Sequence, residues 1–193
     1  MEAFLVSTGV VALAEIGDKS QLLVLALAAR FRKPIPIILG MLAATLLNHA
    51  CAGEAGEWLA SRIDPLATRW ILGPLFVGIA IWTLIPHKSR EETARTPRFG
   101  LFGTTLLTFF LMEMGDKTQI ATLALAAKYA APIAVVAGST FGIMLVDVPL
   151  VMLGAGAGVV AAQALPFRSV YRLAPATFLL LGVVALFWTG LGL

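Results

Sequence analysis

Six stretches of this 193-residue chain stay predominantly apolar for about the 20 residues a helix needs to cross the hydrocarbon of a bilayer. They lie at 3–29, 34–60, 70–86, 100–127, 132–161 and 173–192. Hydrophobic residues make up 59% of the chain and charged ones 13%, which leaves too little polar surface to coat a water-soluble globule. The expected class is therefore an all-α polytopic membrane protein whose first partner is the lipid bilayer. Pro34 and Pro132 mark the starts of the second and fifth spans, because a proline in the first helical turn lacks only an N–H that would be unpaired anyway. The segment His87 to Arg98 is the one long polar run, and it divides the chain into halves.

A net charge of +3 does not describe a nucleic-acid stripe, since the basic residues cluster in connections between apolar runs; no nucleic-acid partner is expected. With six spans, the first, third and fifth connections share a face and carry nine basic residues: Arg30, Arg32, Lys33, Lys88, Arg90, Arg95, Arg98, Arg168 and Arg172. The opposite face has three, Arg62, Arg69 and Lys128. That asymmetry places the central loop in the cytoplasm and both termini outside, with the inner membrane as the expected location. The first residues lack a basic n-region and include the acidic Glu2, so the first span is expected to be retained rather than cleaved. Cys51 is expected to be a small buried hydrophobe, since one cysteine can neither staple the chain nor complete a thiolate zinc site.

The halves repeat one another. EIGDKSQ at 15–21 returns as EMGDKTQ at 113–119, a shift of 98 positions. At the same shift Leu25 to Ala29 returns as Leu123 to Ala127, Pro34-Ile35 as Pro132-Ile133, and Gly40 as Gly138. Three spans per copy is an odd number, so the second copy must enter the membrane from the opposite side, as in the inverted repeats of many secondary transporters. The expected organisation is a first three-helix repeat at 1–86, a cytoplasmic linker at 87–98 and an inverted second repeat at 99–193. Alternating charge agrees: Arg30, Arg32 and Lys33 correspond to Lys128, Ala130 and Ala131.

Each motif sets a Glu, an Asp and a Lys in the middle of an apolar span, where one charge costs about 2.5–3.5 kcal/mol on insertion scales unless it is paired. On a continuous helix Glu15, Asp18 and Lys19 project from one face, and Glu113, Asp116 and Lys117 repeat the arrangement. One lysine per motif pairs with one acid and leaves a second acid over, so two motifs meeting at mid-membrane sum to a formal charge of −2, matched to a divalent cation. Glu15, Asp18, Glu113 and Asp116 are the candidate ligands. Ser20 and Thr118 hydroxyls and Gln21 and Gln119 amides complete a hard-oxygen set suited to Ca²⁺, Mn²⁺ or Mg²⁺, although Gln21 lies on a different helical face from Glu15. Gly17 and Gly115 allow either a close backbone approach or a local break that frees carbonyl oxygens. A purely structural ion pair within each helix is the alternative, and it leaves the extra acid unexplained.

Two E-x-G-D-K-[ST] motifs in six short spans resemble the calcium:cation antiporter-2 family, cation/proton exchangers with Golgi and plastid members and bacterial manganese exporters. Glu15, Gly17, Asp18, Lys19 and Ser20, and Glu113, Gly115, Asp116, Lys117 and Thr118, match without substitution. The resemblance implies Mn²⁺ or Ca²⁺ moved against protons, with the motif acids at the ion site. The metal is then cargo, no cofactor is expected, and the partners are a divalent cation and protons; oligomeric state is left open. A passive divalent-cation channel and an exporter of a cationic amino acid remain rival readings. An intramembrane enzyme using the acids on a lipid phosphate would need arginines beside them, and every arginine lies in or beside a loop.

The same shift pairs His49 with Asp147, candidates for proton coupling or accessory ligation. His49 has a second reading as a cross-helix hydrogen-bonding residue near Asn48. Glu54 and Glu57, with counterparts Met152 and Ala155, are candidates for an acidic vestibule or for a solvated helix end. Gly154 to Gly158 is a nucleotide-loop lookalike inside an apolar span, better read as close helix packing. Trp58, Trp70, Trp82 and Trp188 lie near span ends as interface anchors.

Overall fold

A computed structural model describes residues 1–84 and 99–163, together with 175–176, 179–180 and 182–183. Those residues contain seven helices and no strand: α1 (Glu2–Glu15), α2 (Lys19–Phe31), α3 (Pro34–Ala60), α4 (Pro65–Leu84), α5 (Gly100–Glu113), α6 (Lys117–Tyr129) and α7 (Pro132–Gln163). The linker 87–98 and most of the sixth apolar stretch at 173–192 fall outside the described residues.

The first and fourth apolar stretches are not the continuous helices expected at 3–29 and 100–127. Each breaks inside its motif, between α1 and α2 and between α5 and α6. The cause is local. Gly17 takes φ +82° and Gly115 φ +77°, a left-handed conformation that an L side chain resists and that cannot continue an α-helix. Each break is closed by one tight bond, Asp18 N–H to the Glu15 carbonyl at 2.9 Å and Asp116 N–H to the Glu113 carbonyl at 3.2 Å. The helical-face picture of each motif is corrected accordingly: the Glu ends one helix and the Lys begins the next.

Helix starts and stops repeat at the 98-residue shift, from α1 and α5 through α2 and α6 to the prolines that open α3 and α7. Arg32 and Ala130 end α2 and α6 in the left-handed region at φ 51° and 46°, their N–H groups closing on the Ala28 and Ala126 carbonyls. The two-residue turns that follow bring the long helices back along the bundle. α4 starts at Pro65 and not at residue 70, and among the seven described helices it packs mainly on α6.

Packing exchanges partners between the halves. α1 and α2 lie along α7, and α5 and α6 lie along α3. Glycines make the close approaches. A Cβ on Gly40 would stand 2.8 Å from the Phe102 carbonyl oxygen, and Gly138 meets the backbone of Phe4 in the corresponding way. Gly56 abuts Leu123 and Ala126, and Gly154 abuts Leu25 and Ala28. All four contacts map onto their partners by the 98-residue shift, so the duplication governs tertiary contacts as well as sequence. Gly154 thus serves helix packing, as expected for the small-residue run.

α3 and α7 are each long and apolar enough to cross a membrane. Their outward faces carry Leu39, Leu46 and Leu47 on α3 and Phe141, Leu145 and Met152 on α7, all exposed, an apolar coat suited to lipid. Cys51 lies on the exposed side of α3, contrary to the expectation of burial: its neighbours in the helix face lipid, where a thiol is as well accommodated as in a protein core. Trp58 and Trp70 are exposed near the facing ends of α3 and α4.

Candidate metal centre

The two breaks meet inside the bundle. Glu15, Asp18 and Glu113 each offer a carboxylate oxygen within 4.8 Å of the others, a spacing one cation can bridge. Glu15 and Glu113 are fully enclosed at 0% and 1% exposure, although each ends a helix. Burial of two ionisable groups at helix ends in an apolar bundle is costly unless something compensates their charge.

Each glutamate is half-satisfied, and in the same way. Ser20 Oγ donates to Glu15 Oε1 at 2.6 Å, and Thr118 Oγ1 donates to Glu113 Oε2 at 3.0 Å. The other oxygens, Glu15 Oε2 and Glu113 Oε1, are buried with no hydrogen-bond partner, as is Asp116 Oδ2. Buried carboxylate oxygens left bare in this way are rare in folded chains, and a hard cation is what such a set would hold. Asp18 opens α2 without capping it; its carboxylate turns instead to the Lys117 ammonium from the other half, and to Ser20 Oγ at 3.4 Å.

The glutamines of the two motifs hold the helix breaks together. Gln21 Oε1 accepts the Gly17 N–H at 2.8 Å, and Gln119 Oε1 accepts the Gly115 N–H at 2.5 Å, so each side chain braces its own helix break. Their amides reach across the bundle: Gln21 Nε2 donates to Asp147 Oδ1 at 3.2 Å, and Gln119 Nε2 to the Asn48 carbonyl at 3.3 Å. With both ends engaged they hold the backbone on either side of the centre. Asn48 also donates to the Phe110 carbonyl at 3.0 Å, binding α3 to the last turn of α5. Sequence reasoning missed this bracing; the signal for it was the glutamine four residues after each motif glycine.

A model of the family described as "Divalent cation/proton antiporter GDT1" matches the chain twice, over residues 3–91 and 101–190. The chain belongs to the GDT1 family. The two matches start 98 residues apart, the period already seen in motifs, helix bounds and glycine contacts, so the family unit is one half of this chain. Among curated relatives of this GDT1 chain is a protein of Vibrio cholerae serotype O1 named "Putative manganese exporter", 41% identical over 189 residues, which covers 97% of this chain and 92% of the relative. No solved structure matches it. The resemblance read from the motifs is thereby made firm at the level of divalent cation/proton antiport.

The remaining candidates lie around this centre at different depths. His49 is 1% exposed with neither ring nitrogen hydrogen-bonded, and Asp147 is fully buried with Oδ2 bare. Glu54 and Glu57 are exposed on the last turns of α3, away from the enclosed acids. Lys19 begins α2; its side chain is outside the described residues.

Proposed function

We propose that this GDT1 antiporter exports Mn²⁺ from the cytoplasm in exchange for protons, and that the ion is carried between the two motifs by Glu15, Asp18, Glu113 and Asp116. The observation that carries this reading is the convergence of Glu15 and Asp18 from one half with Glu113 from the other, together with buried carboxylate oxygens left bare on both glutamates and on the neighbouring Asp116. Mn²⁺ and Ca²⁺ both suit such a donor set. The name of the Vibrio cholerae relative favours Mn²⁺.

The architecture in this reading is six spans in two inverted three-helix repeats, 1–86 and 99–193, joined by a cytoplasmic linker at 87–98, in the inner membrane with both termini outside. Support comes from packing directions. Phe4 and Thr8 of α1 meet Gly138 and Gly142 of α7, and Leu25 of α2 meets Gly154, so the broken pair runs the same way as α7. Phe102 and Leu123 meet Gly40 and Gly56, so the second broken pair runs with α3. Gly53, past the middle of α3, lies against Pro132 and Val136 at the start of α7, as an antiparallel pair of long helices requires. Two broken pairs that follow oppositely directed helices are themselves opposed, the relation inversion demands.

Rocking one broken pair and its long partner against the other would open the centre to one side at a time. The emptied acids are reset by protons; two motifs of formal charge −1 call for about two protons per Mn²⁺, a coupling in which no net charge moves. Transport is the whole activity in this reading, with no catalytic residue. Proteoliposome flux tests it. Removing one partner of a buried ionic contact costs about 3–5 kcal/mol, so Glu15→Gln and Glu113→Gln should each lower Mn²⁺ uptake driven by a proton gradient by about two to four orders of magnitude. Wild-type flux in either variant would refute the caged ion, and flux that never runs uphill would make the protein a channel.

A further inference from the structure

Lys117 is in an unfavourable place for a cation. It is the first residue of α6, where the helix dipole repels positive charge, and only 11% of its side chain is exposed. Asp116 of its own half and Glu15 lie near enough to act on it, but its ion pair is with Asp18 of the other half, across the two breaks. Asp18 is also one of the three acids whose oxygens gather within 4.8 Å. The ammonium therefore occupies a carboxylate that the ion needs.

We infer that Lys117 is a tethered counter-cation, which neutralises Asp18 while the carrier is ion-free and is displaced from it when a divalent cation enters. This deepens the proposed ion site and rests on it. The physical case is that an ion-free centre with Glu15, Asp18, Glu113 and Asp116 gathered in an apolar bundle would otherwise carry concentrated negative charge while it changes its facing. A mobile cation on a four-carbon stem compensates without leaving the protein, and a lysine suits this better than an arginine because its compact ammonium pairs without a two-pronged lock. The lysine keeps its proton throughout; only its partner changes. Competition for Asp18 then limits how tightly the metal is held, so the metal can be released.

The test uses the purified full chain in detergent, with Mn²⁺ binding followed by the loss of the free-ion EPR signal at fixed pH and ionic strength. Lys117→Gln should bind Mn²⁺ about tenfold more tightly than wild type, and the effect should shrink to less than about twofold in an Asp18→Asn background. Lys117→Arg, which grips Asp18 with two parallel hydrogen bonds, should bind Mn²⁺ more weakly than wild type. In proteoliposomes Lys117→Gln should retain Mn²⁺/Mn²⁺ self-exchange and lose most net Mn²⁺/H⁺ exchange, because only the ion-free return is impaired. Equal or weaker Mn²⁺ binding by Lys117→Gln, or loss of both exchange modes together, would make Lys117 a structural clamp and overturn the inference. If the Gln variant does not fold, the Arg variant decides, and Mn²⁺ binding equal to or tighter than wild type overturns it. Glu15→Gln reports separately on the site: unaltered Mn²⁺ binding there removes the four-acid reading, while the cycle between Lys117 and Asp18 judges the tether on its own.

Discussion

The two helix breaks use the same parts up to a point and then part company. In both, a glycine turns left-handed, a hydroxyl one turn on holds one glutamate oxygen, and a glutamine oxygen holds the glycine N–H. The far end of the glutamine differs. Gln21 reaches the Asp147 carboxylate, whereas Gln119 reaches the backbone carbonyl of Asn48. Next to these anchors, His49 of α3 stands where α7 has Asp147, and α7 carries a mid-helix proline, Pro149, where α3 has Cys51. Duplication has kept the acid-bearing breaks alike and let their supports diverge. The first break hangs on a side chain that can move or change its protonation, the second on a fixed main chain.

The comparison predicts sameness at the centre. Glu15→Gln and Glu113→Gln should lower proton-driven Mn²⁺ flux to within about threefold of each other, since each removes one half-satisfied buried carboxylate of the same kind and costs about 3–5 kcal/mol. A tenfold gap between them, measured as initial flux at equal protein in the bilayer, would mean that the halves are unequal ligands.

Difference is expected one residue shell away. Gln21→Leu leaves the Gly17 N–H and Asp147 Oδ1 unpaired where both bonds are buried, at about 1–3 kcal/mol for each group. Gln119→Leu abandons a bond at the Gly115 N–H and another to the Asn48 carbonyl, which inside α3 already accepts a helix bond, so one group is left unpaired and not two, at about 1–3 kcal/mol. The detergent unfolding midpoint should therefore fall further for Gln21→Leu. Asp147→Leu should reproduce much of that loss, and no side-chain change at Asn48 can reproduce it for Gln119, because the acceptor there is main chain.

A smaller contrast tests the glycine contacts. A Cβ at Gly56 would press on the Leu123 carbonyl oxygen and come to 2.9 Å from Ala126 Cβ; one at Gly154 would come no closer than 3.0 Å to Leu25. Overpacking of this kind costs about 1–3 kcal/mol, and Gly56→Ala should sit toward the top of that range and Gly154→Ala toward the bottom. Matching midpoints in the two variants would show that the helices yield equally at both crossings.

The intramembrane acids were legible in the sequence and the way the backbone gathers Glu15, Asp18 and Glu113 was not, for reasons that can be traced to residues. Glu15, Asp18, Glu113 and Asp116 stood out because a charge in an apolar span has no cheap explanation. The repeat could be read because 98 separated so many matched residues, and helix bounds then followed it. The breaks were foreshadowed by Gly17 and Gly115 but hidden by hydropathy, which runs on unchanged through a change of backbone direction. Lysine pairing differs for a related reason: the spacing pairs each lysine with an acid of its own motif, whereas the break turns Lys117 to Asp18 in the other half. Cys51 was misread because in a bilayer the outside of the bundle is as apolar as its inside.

The smallest expected effect concerns Glu54 and Glu57, which have no acidic counterpart in the second half. They are exposed on α3 and stand outside the group of acids gathered within 4.8 Å, so the expectation is a part in the ion's approach. Two charges at the rim still attract a divalent cation through solvent, and such attraction is screened over about 10 Å at 0.1 M salt. The double variant Glu54→Gln, Glu57→Gln should raise the apparent Mn²⁺ half-saturation by about two- to fivefold at low ionic strength and by almost nothing at about 0.5 M salt, with maximal flux unchanged. A salt-independent rise would place these residues in the ion's coordination and not in its approach. No change at any salt would make them a solvated helix end, and the two halves would then differ only in how their breaks are braced.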